Sequence, residues 1–166
     1  MNMHARTMLA GCHFCGPAST VEERCVRENL YARAFLSNSP IVPGHTLIVP
    51  KRCVGTLDEL QGIELDAMLD LRLQLKKLLK SLLHAEGFNY AWNEGCVAGQ
   101  TVPHLHLHIV PRREGDAGVL GYDPREKFYR PGPRACEDLD ELAALAGRLR
   151  SFTGSRSVID SGGREP

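Results

Sequence analysis

The sequence is short of several features that would narrow its role at once. It carries no net charge, with Lys plus Arg and Asp plus Glu both at 20 in 166 residues. A balanced chain exerts no whole-molecule pull on nucleic acid or an anionic membrane. Any anion site must be local, built from histidines and backbone donors. No apolar run approaches the ~20 residues of a membrane span. The first residues, MNMHARTMLAGCHFC, lack the long apolar stretch of a secretory signal, so a cytoplasmic location is expected. There is no internal repeat and no alternating βαβ pattern. Hydrophobic residues at 43% and charged residues at 24% are the balance of an ordinary globular protein, long enough for a single domain with a sizeable core. Six scattered cysteines (Cys12, Cys15, Cys25, Cys53, Cys96, Cys136) in a chain that does not read as secreted favour reduced thiols or a metal site over disulfides.

What the chain does have is ordered. Residues 24–38 read as two short strands with a turn near Glu28-Asn29, and HTLIVP (45–50) reads as a buried strand ended by Pro50. In TLDEL (56–60), Thr56 and Glu59 have capping-box spacing. From Ile63 to about Ala85, leucines recur at spacings of three and four, the mark of a helix, with Gly87 as its expected stop. Arg72, Lys76, Lys77 and Lys80 fall mainly on the other side and read as a solvated face. FNYAWN (88–93) is another strand, CEDLDELAALAGRLRSF (136–152) a short helix, and residues 1–11 and 153–166 a loose leader and tail. The order predicts one α+β domain over 1–166 with a largely antiparallel sheet. Its core spans about 11–115, with a C-terminal extension over 116–152.

The most telling stretch is TVPHLHLHIVPRR (101–113), which places His104, His106 and His108 at alternate positions of an apolar strand. Alternation puts the three imidazoles on one face, roughly 6.5–7 Å apart, and the second is expected to face solvent. A lone histidine there is most often a satisfied core or rim residue. Three in register each need partners for their ring nitrogens, and the face then suits a metal, a nucleophile, or both. An imidazole whose Nδ1–H is held by a carbonyl presents an Nε2 lone pair that can attack phosphorus or bind a metal. Just upstream, NEGCVAGQTV offers the neutral polar groups of Asn93, Gln100 and Thr101 beside Gly95 and Gly99. Such loops are weak evidence alone, but next to the histidines they suggest a polyoxyanion site such as phosphate.

GQTVPHLHLHIVPR resembles the signature of the histidine-triad (HIT) superfamily, and the likeness extends through NEG, the long helix and VPGHTLIVPKR (42–52). That resemblance implies a five-stranded antiparallel sheet with one long helix and a C-terminal helix, a homodimer, and a nucleotide substrate attacked at the α-phosphorus. No nucleic-acid polymer, membrane or organic cofactor is implied. By motif position His106 would be the nucleophile that forms a covalent nucleotidyl-histidine. His45 and His108 would contact phosphate, with Asn93, Gln100 and Thr101 helping to hold it. HIVPRR followed by EGD looks most like the branch of fragile-histidine-triad and bacterial dinucleoside-polyphosphate hydrolases. The Gly-Gly and tryptophan usual after the triad in the phosphoramidase branch are absent. One position departs from the pattern. The family's ribose-binding Asn or Asp, eight residues before His45, is Ser37 here, and a one-residue shift would bring in Asn38.

Cys12 and Cys15 form a C-x2-C pair, weak evidence of a metal site by itself. Many bacterial HIT proteins and galactose-1-phosphate uridylyltransferases carry this pair, and their zinc is completed by a histidine after the PK of the third strand and by the first triad histidine. In VPKRCV that histidine is replaced by Cys53, another soft ligand. The resemblance therefore implies a structural zinc held by Cys12, Cys15, Cys53 and His104. A reduced or redox pair remains the alternative. His13 reads as a bystander, and Cys25, Cys96 and Cys136 as ordinary small residues. The favoured function is a nucleotide hydrolase or nucleotidyl transferase acting on dinucleoside polyphosphates. A phosphoramidase or adenylate-conjugate hydrolase, a nucleotide-binding sensor with little turnover, and a catalytic zinc enzyme are the competing readings. The last is disfavoured because alternate residues of one flat strand do not converge within about 2.1 Å of one ion.

Overall fold

The computed structural model describes residues 12–16, 20–116 and 138–152. Five strands form one antiparallel sheet: β1 (Cys25–Glu28), β2 (Ala32–Leu36), β3 (Thr46–Pro50), β4 (Gly87–Trp92) and β5 (Leu107–Arg112), in the order β1-β2-β3-β5-β4. Three helices accompany them among the described residues: α1 (Val21–Arg24), α2 (Gly62–Leu83) and α3 (Leu139–Ser151). This is the expected α+β architecture. No helix among the described residues is long and apolar enough to cross a membrane. The leader, Cys136, most of the extension and the tail fall outside the described residues.

Strand alternation divides the sheet into two faces. Ala34, Leu36, Ile48, Leu107 and Ile109 point one way and pack with Met68, Leu71, Leu75 and Leu79 of α2 and with Leu142, Ala146 and Leu149 of α3. Phe35, Leu47 and Val49 point the other way and form a smaller cluster with Val21, against which Phe14 packs. Leu47 pairs directly with His108, which places that imidazole on the second face.

Local chemistry sets the boundaries, not always where the sequence suggests. Helix α2 takes its capping carboxylate from Glu64, which accepts from the Gln61 N–H at 2.9 Å. Thr56 and Glu59 serve only a single 3-10 turn at Leu57–Glu59. The helix ends at His84 in the left-handed region (φ 53°), before Gly87, which opens β4 instead. The C-terminal helix begins later than expected because the Asp138 side chain caps it, accepting from the Asp140 and Glu141 N–H groups. Gly44 is required by space as well as backbone: it has φ 87°, and a Cβ there would lie 2.3 Å from Leu83 Cδ1. Its absence of a side chain lets the loop before His45 close onto α2.

Candidate active site and metal cluster

The ladder of β5 starts at Leu107, so of the three histidines only His108 sits within it. His104 and His106 lie in the extended segment leading in. That segment is held by the run after β3, for Leu105 N–H donates to the Val54 carbonyl at 2.7 Å. The run after β3 is in turn anchored to α2. Arg52 donates to both carboxylate oxygens of buried Glu64, at 2.6 and 3.0 Å, and to the Glu59 carbonyl at 2.6 Å. A bidentate pair at the helix start therefore fixes the neighbours of Cys53 and, through Val54, the first triad histidine.

Each histidine has its tautomer set by a group that can play one role only. The Pro50 carbonyl, 2.9 Å from His104 Nε2, accepts that N–H and leaves Nδ1 with a lone pair directed to the Cys12 sulfur at 3.4 Å. The His104 carbonyl, 2.7 Å from His106 Nδ1, accepts its N–H and leaves the lone pair on Nε2. Ile41 N–H donates to His45 Nδ1 at 3.2 Å. His45 Nε2–H therefore donates to His108 Nδ1 at 3.0 Å, and the remaining N–H of His108 is its Nε2. The outcome is one ring with a bare Nε2 beside another that presents an N–H, their centroids 4.8 Å apart. Burial lowers the pKa of His104 and His106 against the opposing effect of their carbonyl partners, so both favour the neutral form the arrangement uses.

His106 does not face open solvent as the sequence suggests. It is 3% exposed, because Phe14 packs against its ring from the cysteine turn. The other expected contacts divide. His45 and His108 are brought together, as described. Asn93 is half-buried, its Nδ2 3.7 Å from where a Cβ of Gly99 would stand. Gln100 acts as a loop staple: its Oε1 accepts from Gly95 N–H at 2.7 Å and its Nε2 donates to the Gly55 carbonyl at 2.8 Å. Thr101 is exposed. Ser37 is buried beside His45, donating its N–H to the His45 carbonyl at 2.9 Å, while Asn38 is exposed next to it. His13 is exposed, as befits a bystander.

One donor atom from each of Cys12, Cys15, Cys53 and His104 lies within 4.8 Å of the others. A tetrahedral ion with metal–sulfur bonds near 2.3 Å and metal–nitrogen bonds near 2.0 Å needs donor separations of roughly 3.5–3.8 Å. A slight contraction suffices, so the residues present fit a bound metal ion. Four protein donors would leave no position on such an ion for a substrate. Burial and the neighbouring Cys15 thiol push the Cys53 pKa up to about 12. A cation is what would make three adjacent thiolates tolerable. No disulfide joins the described cysteines.

The sequence matches the HIT domain family over residues 19–115. This chain belongs to the HIT family. It is 38% identical over 146 residues to the bis(5'-adenosyl)-triphosphatase of Saccharomyces cerevisiae, covering 86% of this chain and 71% of that one. It is 37% identical over 128 residues to the asymmetrical bis(5'-nucleosyl)-tetraphosphatase of Schizosaccharomyces pombe, covering 76% and 69%. Among solved structures it is similar to a zinc-bound histidine triad family protein from Mycobacterium smegmatis, with a TM-score of 0.57, 30% identity, and 76% of this chain and 82% of that one covered. Sequence reasoning had passed over Phe14, Glu64 and the Pro50 carbonyl. Only Phe14 left a signal, an aromatic inside the C-x2-C turn.

Proposed function

We propose that this HIT-family protein is a hydrolase of dinucleoside polyphosphates that works through a covalent nucleotidyl-His106. The observation that carries the reading is the 2.7 Å contact between His106 Nδ1 and the His104 carbonyl, which leaves Nε2 as the nucleophilic nitrogen. Nε2 attacks the α-phosphorus, an N–P bond forms, and the P–O anhydride bond breaks so that the rest of the polyphosphate leaves as an anion. Water then attacks phosphorus, the N–P electron pair returns to Nε2, and a proton passes to solvent. The His108 Nε2–H, ordered through His45 and the Ile41 amide, faces the charge that develops on phosphate oxygens. Asn93 and Thr101 flank the same loop and add neutral donors. Gln100 holds that loop in shape, and Asn38 would meet the ribose. The two yeast relatives named above carry the same substrate class in their names, which supports this choice over a phosphoramidase.

The Cys12, Cys15, Cys53 and His104 cluster would hold a structural zinc, whose contribution is to pin the cysteine turn onto the sheet. A homodimer is also part of the reading. Strand β4 is an outer strand of the sheet. Beside it, Asn89 Oδ1, Tyr90 Oη and Arg72 Nε are buried without hydrogen-bond partners, and Leu69 and Leu73 of α2 are exposed. A second copy would pair the outer strand and cover exposed Leu69 and Leu73. The free thiols favour a reducing compartment such as the cytoplasm.

The test is a rapid-quench experiment with α-labelled dinucleoside polyphosphates and an adenosine phosphoramidate. A burst of one leaving nucleotide per site, with label trapped on His106, is expected, together with the higher kcat/KM for the polyphosphates. Tight binding with no trapped label would favour the sensor reading. Higher kcat/KM for the phosphoramidate would move the chain to that branch.

A further inference from the structure

The turn that carries Cys12 and Cys15 also places an aromatic ring against the proposed nucleophile. Phe14 lies between the two cysteines, and its N–H donates to the Cys12 sulfur at 3.4 Å. Its ring centroid is 5.3 Å from that of His106 at 77°, 5.9 Å from His104 at 58°, and 5.3 Å from Phe35 at 58°. One ring thus touches a metal-cluster histidine, the nucleophile and the apolar cluster behind them.

His106 needs such a wall. Its ring is tethered at one atom, Nδ1, to the His104 carbonyl. A single hydrogen bond fixes a tautomer but lets the ring swing about the contact. His108 approaches it at 65°. Phe14 supplies a second wall at nearly a right angle, in the edge-to-face geometry favoured by aromatic pairs. Unlike His108, Phe14 does not sit on a strand. It rides on a short turn held by Gly16 N–H to the Cys12 carbonyl at 2.7 Å and by the approach of Cys12 to His104. Phe14 thus shares its turn with two of the four donors, Cys12 and Cys15.

We propose that Phe14 is a positioning residue that transmits occupancy of the Cys12/Cys15/Cys53/His104 metal cluster to the orientation of the His106 ring. The proposal rests on His106 being the nucleophile, and it makes the metal more than a clip on the fold. A bound ion closes the turn, the turn sets Phe14, and Phe14 holds Nε2 in line with the α-phosphorus. Misplacement of a reacting atom by about 1 Å costs on the order of a hundredfold in rate, so a modest swing matters.

The experiment compares the metal-loaded wild type with Phe14→Leu, which keeps apolar bulk but removes the ring, and Phe14→Tyr, which keeps the ring. Four quantities are measured: metal per chain, melting temperature, kcat and KM on a dinucleoside polyphosphate, and the ring resonances of histidine-labelled protein with and without added zinc. Phe14→Leu is expected to hold one metal per chain, lose about ten- to a hundredfold in kcat and keep KM within about threefold, while Phe14→Tyr recovers most of the rate. Zinc is expected to sharpen and shift the His106 signals in the wild type and leave them largely unmoved in Phe14→Leu. A kcat within twofold of wild type for Phe14→Leu, or an equal His106 response to zinc in both proteins, overturns the proposal. So does metal loss from Phe14→Leu, whether or not Phe14→Tyr repairs it, since Phe14 would then serve the turn and not the His106 ring. If the stripped protein unfolds, the two loaded variants decide by kcat and by their His106 resonances. If the wild type never forms nucleotidyl-His106, the function reading fails, yet the resonance comparison still reports whether Phe14 links metal and ring.

Discussion

The two faces of the sheet are built on opposite principles. The face toward α2 and α3 is apolar almost throughout: Leu36, Ile48, Leu107 and Ile109 meet Met68, Leu71, Leu75 and Leu79 with no side chain that must be satisfied electrostatically. The other face buries His45, His104 and His106 beside a short apolar row of Phe35, Leu47 and Val49. Burial on the first face stabilises by removing apolar area from water and tolerates exchanges of similar volume. Burial on the second is acceptable only because each imidazole has a stated partner. Stability therefore comes mostly from one face, the other gathers the imidazoles proposed to carry the chemistry, and the segments 12–16 and 50–54 hold the second to the first.

The sharpest way to break this division is at His106. His106→Ala is expected to lower turnover at least about a thousandfold, since it removes the nitrogen proposed to form the covalent intermediate. It should leave a folded protein that still binds nucleotide, because His45 and His108 are held independently of it. Its 3% exposure adds some loss of stability, so the melting curve and nucleotide titration are read beside the rate. A variant that turns over near the wild-type rate would remove His106 from the mechanism.

Next in size is loss of the zinc proposed at the cysteine cluster. Chelation or Cys53→Ser is expected to lower the melting temperature by roughly 10 °C or more, because a bound ion joins three separate segments. Elemental analysis of protein prepared without chelator should give one zinc per chain. A content near zero, or Cys53→Ser with unchanged metal, would sink the four-donor assignment.

Glu64 tests the link between the faces. Its carboxylate is buried and accepts twice from Arg52 and once from the Gln61 N–H. Glu64→Gln should cost about 1 kcal/mol in denaturant unfolding, by weakening the hydrogen bonds to partly exposed Arg52 and to the Gln61 N–H. The apolar face alone would carry the fold if the cost were near zero.

The smallest effect is expected at the outer strand. Burial acts to raise the Glu28 pKa, but hydrogen bonds and charge from Arg33 and Lys51 outweigh it and hold it below the ordinary 4.5. A depressed carboxylate adds stability that is present above its unfolded pKa and lost as pH falls through its folded one. Glu28→Gln should therefore cost a few tenths of a kcal/mol at pH 7, screened as exposed pairs are, and nothing in strong acid. An equal cost at pH 7 and pH 2 would rule out the charge pairing as its source.

Much of this was legible in the residues because it depends on periodicity and spacing. The helix over Gly62–Leu83 and the strands around HTLIVP and FNYAWN follow from patterns of period 3.6 and 2, whereas only His108 of the three histidines falls within its strand. The nomination of Cys12, Cys15, Cys53 and His104 followed from a family motif, and their donor atoms do converge. End points were less legible. Glu64 took the capping role that Thr56 and Glu59 were spaced for, and His84 ended α2 ahead of Gly87, since these are decided by local hydrogen bonds among several eligible residues.

The sequence by itself determined which residue types meet on the chemical face, because alternation and motif spacing are covalent properties of the chain. It did not determine the state of those residues. That His106 is buried under Phe14, that Pro50 and His104 lend the carbonyls which choose the tautomers of His104 and His106, and that Gln100 is spent on Gly55 and Gly95 were decided by the tertiary structure alone. The physical reason is that any carbonyl can accept any N–H. Only the folded arrangement brings one of them within 3 Å of a given ring nitrogen and thereby fixes which nitrogen of His104 and of His106 keeps its lone pair.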